Sequence, residues 1–138
     1  MKIALLGAVA FLAFAPAAFA ATETYKADLK ASSQVPVNDS KGSGSVTATY
    51  DTTTKKLTYT ATYKDLTGPA TAAHFHGPAA VGANAGVVVP VKEITASPLK
   101  GEATLTDDQA KQLQGGQWYF NIHTAANKGG EIRGQMTK

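Results

Sequence analysis

The alternation of apolar and polar side chains over residues 56–63 constrains the fold of this chain more than any other feature. Leu57, Tyr59, Ala61 and Tyr63 occupy every second position, and threonines separate them. A period of two is typical of a β-strand, because successive side chains point to opposite faces. One apolar and one polar face predict a strand of an antiparallel sheet that packs on a core and is solvated on its other side.

Other segments show the same strand signals, with turn residues between them. From position 21 onward the chain is rich in Thr, Val, Tyr and Gly, which is typical of an all-β domain. Residues 34–37 contain Pro36 and are predicted to be extended, at a sheet edge or a strand end. Besides 56–63, strands are predicted at residues 25–29, 45–50, 72–76, 87–91, 103–105, 118–123 and 130–136.

One short helix is predicted over residues 106–113. Thr106 or a following aspartate can cap it, Gly115 and Gly116 end it, and Ala110 and Leu113 are expected to pack inward. Sequential strands with short connections and a single helix predict an antiparallel β-sandwich of Greek-key or immunoglobulin-like type.

The first 20 residues have the features of a secretory signal peptide. Lys2 precedes an apolar run, and small residues end the segment at Ala20. Cleavage before Ala21 would leave one domain over residues 21–138. A membrane anchor is the alternative, but the run is shorter than the about 20 residues that span a bilayer. We therefore expect a periplasmic or secreted protein with no membrane association after cleavage.

The charge balance argues against a nucleic-acid partner. The formal net charge of the chain is +3, and loss of Lys2 would lower it by one. The lysines are scattered and form no basic stripe. The chain has no cysteine, so it can form no disulfide.

Two of the three histidines, His74 and His76, lie two residues apart. In a strand they share one face, and their Cα atoms lie about 6.5–7 Å apart, while Phe75 takes the other face. Two imidazoles at that spacing can share one metal ion. The third histidine, His123, ends another predicted strand, so the spacing alone does not say whether it joins them.

The last two predicted strands also combine a polar with an apolar face. The polar face of residues 118–123 carries Asn121 and His123, and that of residues 130–136 carries Glu131 and Arg133. If these strands are neighbours of the histidine strand in one sheet, their polar side chains converge. The apolar faces predict core positions at Trp118, Phe120, Ile122, Ile132 and Met136.

The polar residues near the histidines have several candidate roles. Arg133, the only arginine, can orient a carboxylate such as Glu131 or bind an anion with its planar guanidinium. Glu131 can hydrogen-bond a ligating histidine and fix its tautomer. Asn121 is expected to be a hydrogen-bonding sheet residue rather than a ligand. The alternative is a pair of solvated histidines beside a surface ion pair of Glu131 and Arg133.

The donor types restrict the metal. The chain has no cysteine, and Met136 is predicted to face the core, so soft ligation of copper(I) has little support. Imidazole ligands suit copper(II) or zinc. Three nitrogens and an open coordination position would also permit chemistry.

Two motifs of this chain resemble the CHRD domain, a family named from chordin and common in secreted bacterial proteins. One is the segment of residues 73–79, followed by Gly82 and Gly86 before the valines at 87–89, and the other is the closing segment of residues 130–135. The resemblance covers about residues 25–136 and implies an extracytoplasmic β-sandwich without a settled activity. The positions that match the family motifs are His74, His76, Glu131 and Arg133; His123 lies outside them.

Three functions remain open. The first is a metal-binding domain that uses His74, His76 and His123. The second is a non-enzymatic module whose polar face binds an extracytoplasmic protein or glycan. The third is an enzyme, either a hydrolase or a mono-copper oxidoreductase. The oxidoreductase would have a looser likeness to copper-zinc superoxide dismutase, although three histidines cannot build that enzyme's two-metal site. An enzyme is the least favoured of the three, and no catalytic residue is assigned.

Overall fold

The structure is a computed structural model that describes residues 10–16 and 21–138. Residues 10–16 are irregular and exposed. The rest of the predicted signal peptide, including Ala20 at the expected cleavage site, lies outside the described residues. In the part of the chain that is described, we find no helix with the length and apolar character needed to cross a membrane.

The described chain folds into eight strands, one α-helix and a short 3₁₀ turn (Ala31–Ser33). The helix α1 (Asp107–Gln114) lies between the sixth and seventh strands. The strands are β1 (Thr22–Lys30), β2 (Ser43–Asp51), β3 (Lys56–Lys64), β4 (Ala70–His76), β5 (Val87–Pro90), β6 (Leu99–Thr104), β7 (Tyr119–Thr124) and β8 (Ile132–Gln135).

All eight strands belong to one antiparallel, nearly closed sheet in the order β5-β4-β7-β8-β1-β2-β3-β6. The two halves of the sheet face each other across the core. Tyr59 of β3 and Phe75 of β4 are separated by four strands in the sheet order, yet their rings meet edge to face with centroids 5.0 Å apart. The prediction of an all-β antiparallel fold with one short helix is confirmed.

The first three strands follow the pattern expected from the sequence. Leu57, Tyr59 and Ala61 are buried, and the threonines between them are exposed. The β2–β3 turn is stabilised by the side chain of Asp51, whose Oδ1 accepts hydrogen bonds from the backbone N–H groups of Thr53 and Thr54 at 2.8 and 3.0 Å. An aspartate that binds the backbone in this way favours a tight turn.

The helix begins as predicted. The side chain of Thr106 accepts a hydrogen bond from the backbone of Gln109, and the side chain of Gln109 accepts one from the backbone of Thr106, which is a capping box. Ala110 and Leu113 are the buried residues of the helix, also as predicted.

Residues 34–37 belong to no strand of the sheet; the chain turns at Ala31–Ser33, and Gln34 has the predicted extended conformation, with its side chain buried. One strand boundary was predicted wrongly. β6 begins earlier than predicted, because Leu99 is fully buried and pairs with Ala61 across the sheet.

The predicted core positions are confirmed. All five are fully buried, so the apolar faces of β7 and β8 point inward and their polar faces point away from the core. These positions are Trp118, Phe120, Ile122, Ile132 and Met136.

Candidate metal centre

The sheet places the three strands that carry the polar residues side by side. β4 pairs with β7, with His74 opposite Asn121 and Ala72 opposite His123. β7 pairs in turn with β8, with Asn121 opposite Arg133. The expectation that these strands are neighbours is therefore correct, and their polar side chains share one face.

The three histidines converge on this face. One ring nitrogen from each lies within 4.8 Å of the nitrogens of the other two. The closest pair is His74 Nδ1 and His123 Nε2, at 3.1 Å. The ring of His74 lies edge to face with both other rings, with centroids 5.4 Å from His76 and 4.8 Å from His123. The rings are thus grouped closely enough for small side-chain rotations to bring three nitrogens to one ion.

Backbone carbonyls fix the tautomers of two of these histidines. His76 Nδ1 lies 2.9 Å from the carbonyl oxygen of Ala85, and His123 Nδ1 lies 2.8 Å from that of Lys128. A carbonyl oxygen only accepts, so each Nδ1 must carry a hydrogen and donate it. In the neutral rings, Nε2 then presents a lone pair toward the cluster, which is how a metal-binding histidine is usually held.

Burial keeps two of the histidines neutral. It lowers the pKa of His74, and the neighbouring His123 and His76 lower it further. Burial is also the main reason why the pKa of His76 lies below its ordinary value, although hydrogen bonds to Ala85 and Asn121 work in the opposite direction. A neutral imidazole can bind a metal ion without first losing a proton.

Asn121 lies at the centre of the cluster rather than in an ordinary sheet position. Its Oδ1 is 3.0 Å from His76 Nε2 and 3.0 Å from His123 Nε2. The side chain is buried, with 3% of its surface exposed. Parity alone placed Asn121 on this face, but only the register with β4 shows that it stands between two histidines.

Glu131 is fully buried, and its carboxylate forms no hydrogen bond with a described histidine, contrary to one of its predicted roles. Its carboxylate accepts hydrogen bonds from Ser40 Oγ at 2.8 Å, Thr67 N at 3.0 Å, Thr124 Oγ1 at 2.7 Å and Asn127 Nδ2 at 2.9 Å, and also from the hydroxyl of Thr67. Burial by itself would raise the pKa of this carboxyl. The hydrogen bonds, led by those from Thr67 and Thr124, outweigh that effect and lower the pKa to about 2.

Arg133 is buried as well, and it does not pair with Glu131, so the predicted alternative of a surface ion pair is wrong. Its guanidinium lies 3.4 Å from the centre of the Tyr119 ring. It donates to Asn84 Oδ1 at 2.8 Å and to the carbonyl of Ala83. The two hydrogen bonds hold the loop of residues 77–86 against the polar face of the sheet.

Glu131, directly before β8, and Arg133, within β8, therefore each support one histidine through a loop. Glu131 binds Thr124 and Asn127, in the loop whose Lys128 carbonyl fixes His123. Glu131 thus supports the tautomer of His123 indirectly, through the loop that carries the Lys128 carbonyl.

Arg133 plays the equivalent part for His76. It binds Ala83 and Asn84, which immediately precede the Ala85 carbonyl that receives the Nδ1–H of His76. The hydroxyl of Tyr119 also donates to this carbonyl, at 3.2 Å. Sequence reasoning missed the carbonyl contacts of both histidines, because any residue type can supply a backbone oxygen.

The family profile of the CHRD domain matches residues 25–136 of the 138-residue chain. The chain belongs to the CHRD domain family. The match covers all eight strands almost completely, and membership is consistent with an extracellular module. Neither a curated protein nor a solved structure matches this CHRD domain. The two motifs on which the resemblance rested contribute four residues to the site or its support: His74, His76, Glu131 and Arg133.

Proposed function

We propose that this CHRD domain binds one transition-metal ion, copper(II) or zinc, outside the cytoplasm, through His74, His76 and His123. The proposal rests on one observation: one ring nitrogen from each of the three histidines lies within 4.8 Å of the other two. His76 and His123 each donate Nδ1–H outward to a carbonyl, so both Nε2 lone pairs point inward. A metal ion between the rings would accept these lone pairs.

The donor set favours copper(II) or zinc over other ions. Imidazole nitrogens suit both metals, and the chain has no cysteine to offer a soft ligand. The carboxylate of Glu131, which directly precedes β8, is directed to four neighbouring side chains and one backbone N–H instead. A hard ion such as calcium, which prefers several carboxylate and carbonyl oxygens, has little to bind here.

The location proposed for this function is the periplasm or the extracellular space. Two features support it: the signal-peptide pattern of residues 1–20 and membership in a family of extracellular modules. The mass of the protein isolated from fractionated cells tests the first of these. Export predicts a chain that begins at Ala21, whereas a retained apolar segment would contradict the proposal.

The metal is tested by titrating the purified protein with zinc(II) and copper(II) and by measuring bound metal after dialysis. The native protein is expected to retain one equivalent, and the double variant His74→Ala/His76→Ala is expected to retain none. Thr58→Ala/Thr60→Ala is the matched control, because these exposed residues have the same spacing on the opposite half of the sheet. If the native protein retains no metal, or if all three proteins retain it equally, the proposal is wrong.

A second candidate function is a non-enzymatic interaction module, and one surface feature favours it. Three valines with large exposed fractions, Val35 at 38%, Val37 at 68% and Val81 at 81%, line the same open cavity of about 350 Å³. Exposed apolar residues that gather in one place mark binding sites more often than scattered ones do. An extracytoplasmic protein or glycan could dock here whether or not a metal is bound.

The mono-copper oxidoreductase is the third candidate, and it needs an open coordination position on the metal. The side-chain oxygen of Asn121 lies beside two of the histidines, where it could occupy that position.

A further inference from the structure

We propose that the side-chain oxygen of Asn121 is the fourth ligand of the metal, and that the amide turns toward Gln34 when the metal leaves. This inference rests on the proposed function, because it concerns the same site. It assigns a role to two buried amides that the three-histidine cluster leaves unexplained.

Three of the six donor–donor distances at the proposed site match a tetrahedral arrangement. Four donors that lie 2.0–2.1 Å from one ion are about 3.3 Å apart from each other. Asn121 Oδ1 is 3.0 Å from the Nε2 atoms of both His76 and His123, and His123 Nε2 is 3.1 Å from His74 Nδ1. Three edges of the tetrahedron are therefore already within about 0.3 Å of the length that a bound ion requires.

The same contacts are unfavourable without a cation. Oδ1 of Asn121 is an acceptor, and the Nε2 atoms of His76 and His123 are also acceptors when their Nδ1 atoms donate to backbone carbonyls. A half-turn of the amide would replace Oδ1 by Nδ2, which carries two hydrogens and can donate one to each ring. The orientation with Oδ1 inward fits the metal-loaded state, and the opposite orientation fits the metal-free state.

Gln34 supplies the partner that the rotated amide would need. Its Nε2 is a buried side-chain nitrogen with no hydrogen-bond partner, on a residue that is only 3% exposed. A buried donor without an acceptor is unfavourable. Gln34 Nε2 and Asn121 Nδ2 both lie within 3 Å of the point that a Cβ on Gly130 would occupy, at 2.3 and 2.9 Å. The two amides are therefore neighbours, and the rotated Asn121 would present its oxygen to Gln34.

Gly130 leaves room for this exchange. Its φ of +119° is a conformation that residues with a Cβ rarely adopt, and a Cβ there would collide with both amides. The space between the two amides thus depends on a residue with no side chain.

A fourth protein ligand would close the coordination sphere. A closed site holds the metal without an exchangeable water, as structural sites do, whereas catalysis needs an open position. A closed site would therefore favour metal storage or a structural metal over oxidoreductase chemistry.

The first experiment compares zinc and copper(II) binding by the native protein, Asn121→Ala and Asn121→Asp. Asn121→Ala is expected to bind both ions about tenfold more weakly and, in the copper(II) form, to relax the solvent protons through a newly bound water. Asn121→Asp keeps an oxygen at the ligand position and is expected to restore the affinity and to exclude that water. If Asn121 instead acted only as a structural hydrogen-bond donor, Asn121→Asp would not restore the affinity, because a carboxylate donates no hydrogen bond.

The second experiment tests the rotation with Gln34→Leu. This variant removes the partner of the rotated amide and so destabilises only the metal-free orientation. One lost hydrogen bond is worth about 1 kcal/mol, so the affinity for zinc is expected to rise about fivefold. Gln114→Leu is the control, since Gln114 is exposed on α1 and hydrogen-bonds Glu23. Circular dichroism checks that each variant folds.

The outcomes distinguish the two proposals. If the native protein binds metal but Asn121→Ala binds it with equal affinity, the fourth ligand is wrong and the three-histidine site stands. If the copper(II) forms of the native protein and of Asn121→Ala relax solvent protons equally, the fourth ligand is also wrong. An unchanged or lower affinity in Gln34→Leu overturns the rotation alone. A native protein that binds neither ion overturns the function and the inference together.

Discussion

Replacement of Glu131 by glutamine is expected to destabilise the protein strongly although it removes no metal ligand. The carboxylate is fully buried and accepts five hydrogen bonds from Ser40, Thr67, Thr124 and Asn127. Its pKa falls from an ordinary 4.5 to about 2. A change of that size corresponds to about 3 kcal/mol that favours the charged form in the folded state.

The glutamine side chain cannot reproduce these contacts. Its Nε2 would replace one carboxylate oxygen and would face hydrogen-bond donors. If it replaces Oε2, it meets the backbone N–H of Thr67, which cannot reverse its direction as a hydroxyl can. A buried donor without an acceptor adds to the loss of the charge-assisted bonds. We expect Glu131→Gln to lower the free energy of unfolding at pH 7 by about 3 kcal/mol.

The same group makes stability depend on pH in a defined direction. The pKa of Glu131 is lower in the folded than in the unfolded chain, so its contribution is fully present above the unfolded value. The contribution is lost as the pH falls from about 5 toward about 2. The native protein should therefore lose about 3 kcal/mol more than Glu131→Gln over that interval.

Urea unfolding measures both effects. Trp118 is the single tryptophan and is fully buried, so its fluorescence reports the loss of the core. Linear extrapolation at pH 7, 5, 4, 3 and 2 gives the free energy of unfolding of each protein. Glu93→Gln is the control, because Glu93 is exposed, and it should change stability by less than about 0.5 kcal/mol. A Glu131→Gln protein within about 1 kcal/mol of the native one at pH 7, or with the same acid dependence, would refute the reasoning.

Three further predictions concern the same face of the sheet. Gly130→Ala should lower the free energy of unfolding in urea by about 2 kcal/mol or more, since φ is +119° and the new Cβ would lie 2.3 Å from a side-chain nitrogen; Gly129→Ala, with no neighbour within 4 Å, should not. Arg133→Lys should weaken zinc binding about tenfold in a competition titration, because it loses the fork that holds the loop beside the histidines; unchanged affinity would argue against that support. Copper(II) absorption should persist on acidification until below about pH 6.5, because burial lowers the pKa of His74 and His76; half-release above that pH would contradict it.

The strand period was enough to predict which faces are polar. The spacing of His74 and His76, together with the parity of Asn121 and His123, predicts that all four lie on one side of the sheet, and the strand pairing agrees. Side-chain direction along a strand depends only on position, because the period is two. The core residues on the opposite faces followed from the same rule.

Register and loop placement do not follow from the period. The pairing that sets Asn121 opposite His74, and between two imidazoles, depends on how β4 and β7 align. The carbonyls of Ala85 and Lys128 come from loops with no repeating pattern, and a backbone oxygen carries no signature of residue type. Gln34 lies in a segment that also has no repeating pattern, so the sequence does not predict that it is a neighbour of the site.

The expected pairing of Glu131 with Arg133 failed for a reason that also explains their positions. Residues two apart on a strand share a face, but loops pack over that face from two sides, and each charge meets a different loop. If the two side chains paired with each other, neither would be available to hydrogen-bond a loop. Bound separately, the acid stabilises the loop that fixes His123 and the base stabilises the loop that fixes His76. Glu131 and Arg133 thus orient both inward-facing imidazoles without contributing a ligand.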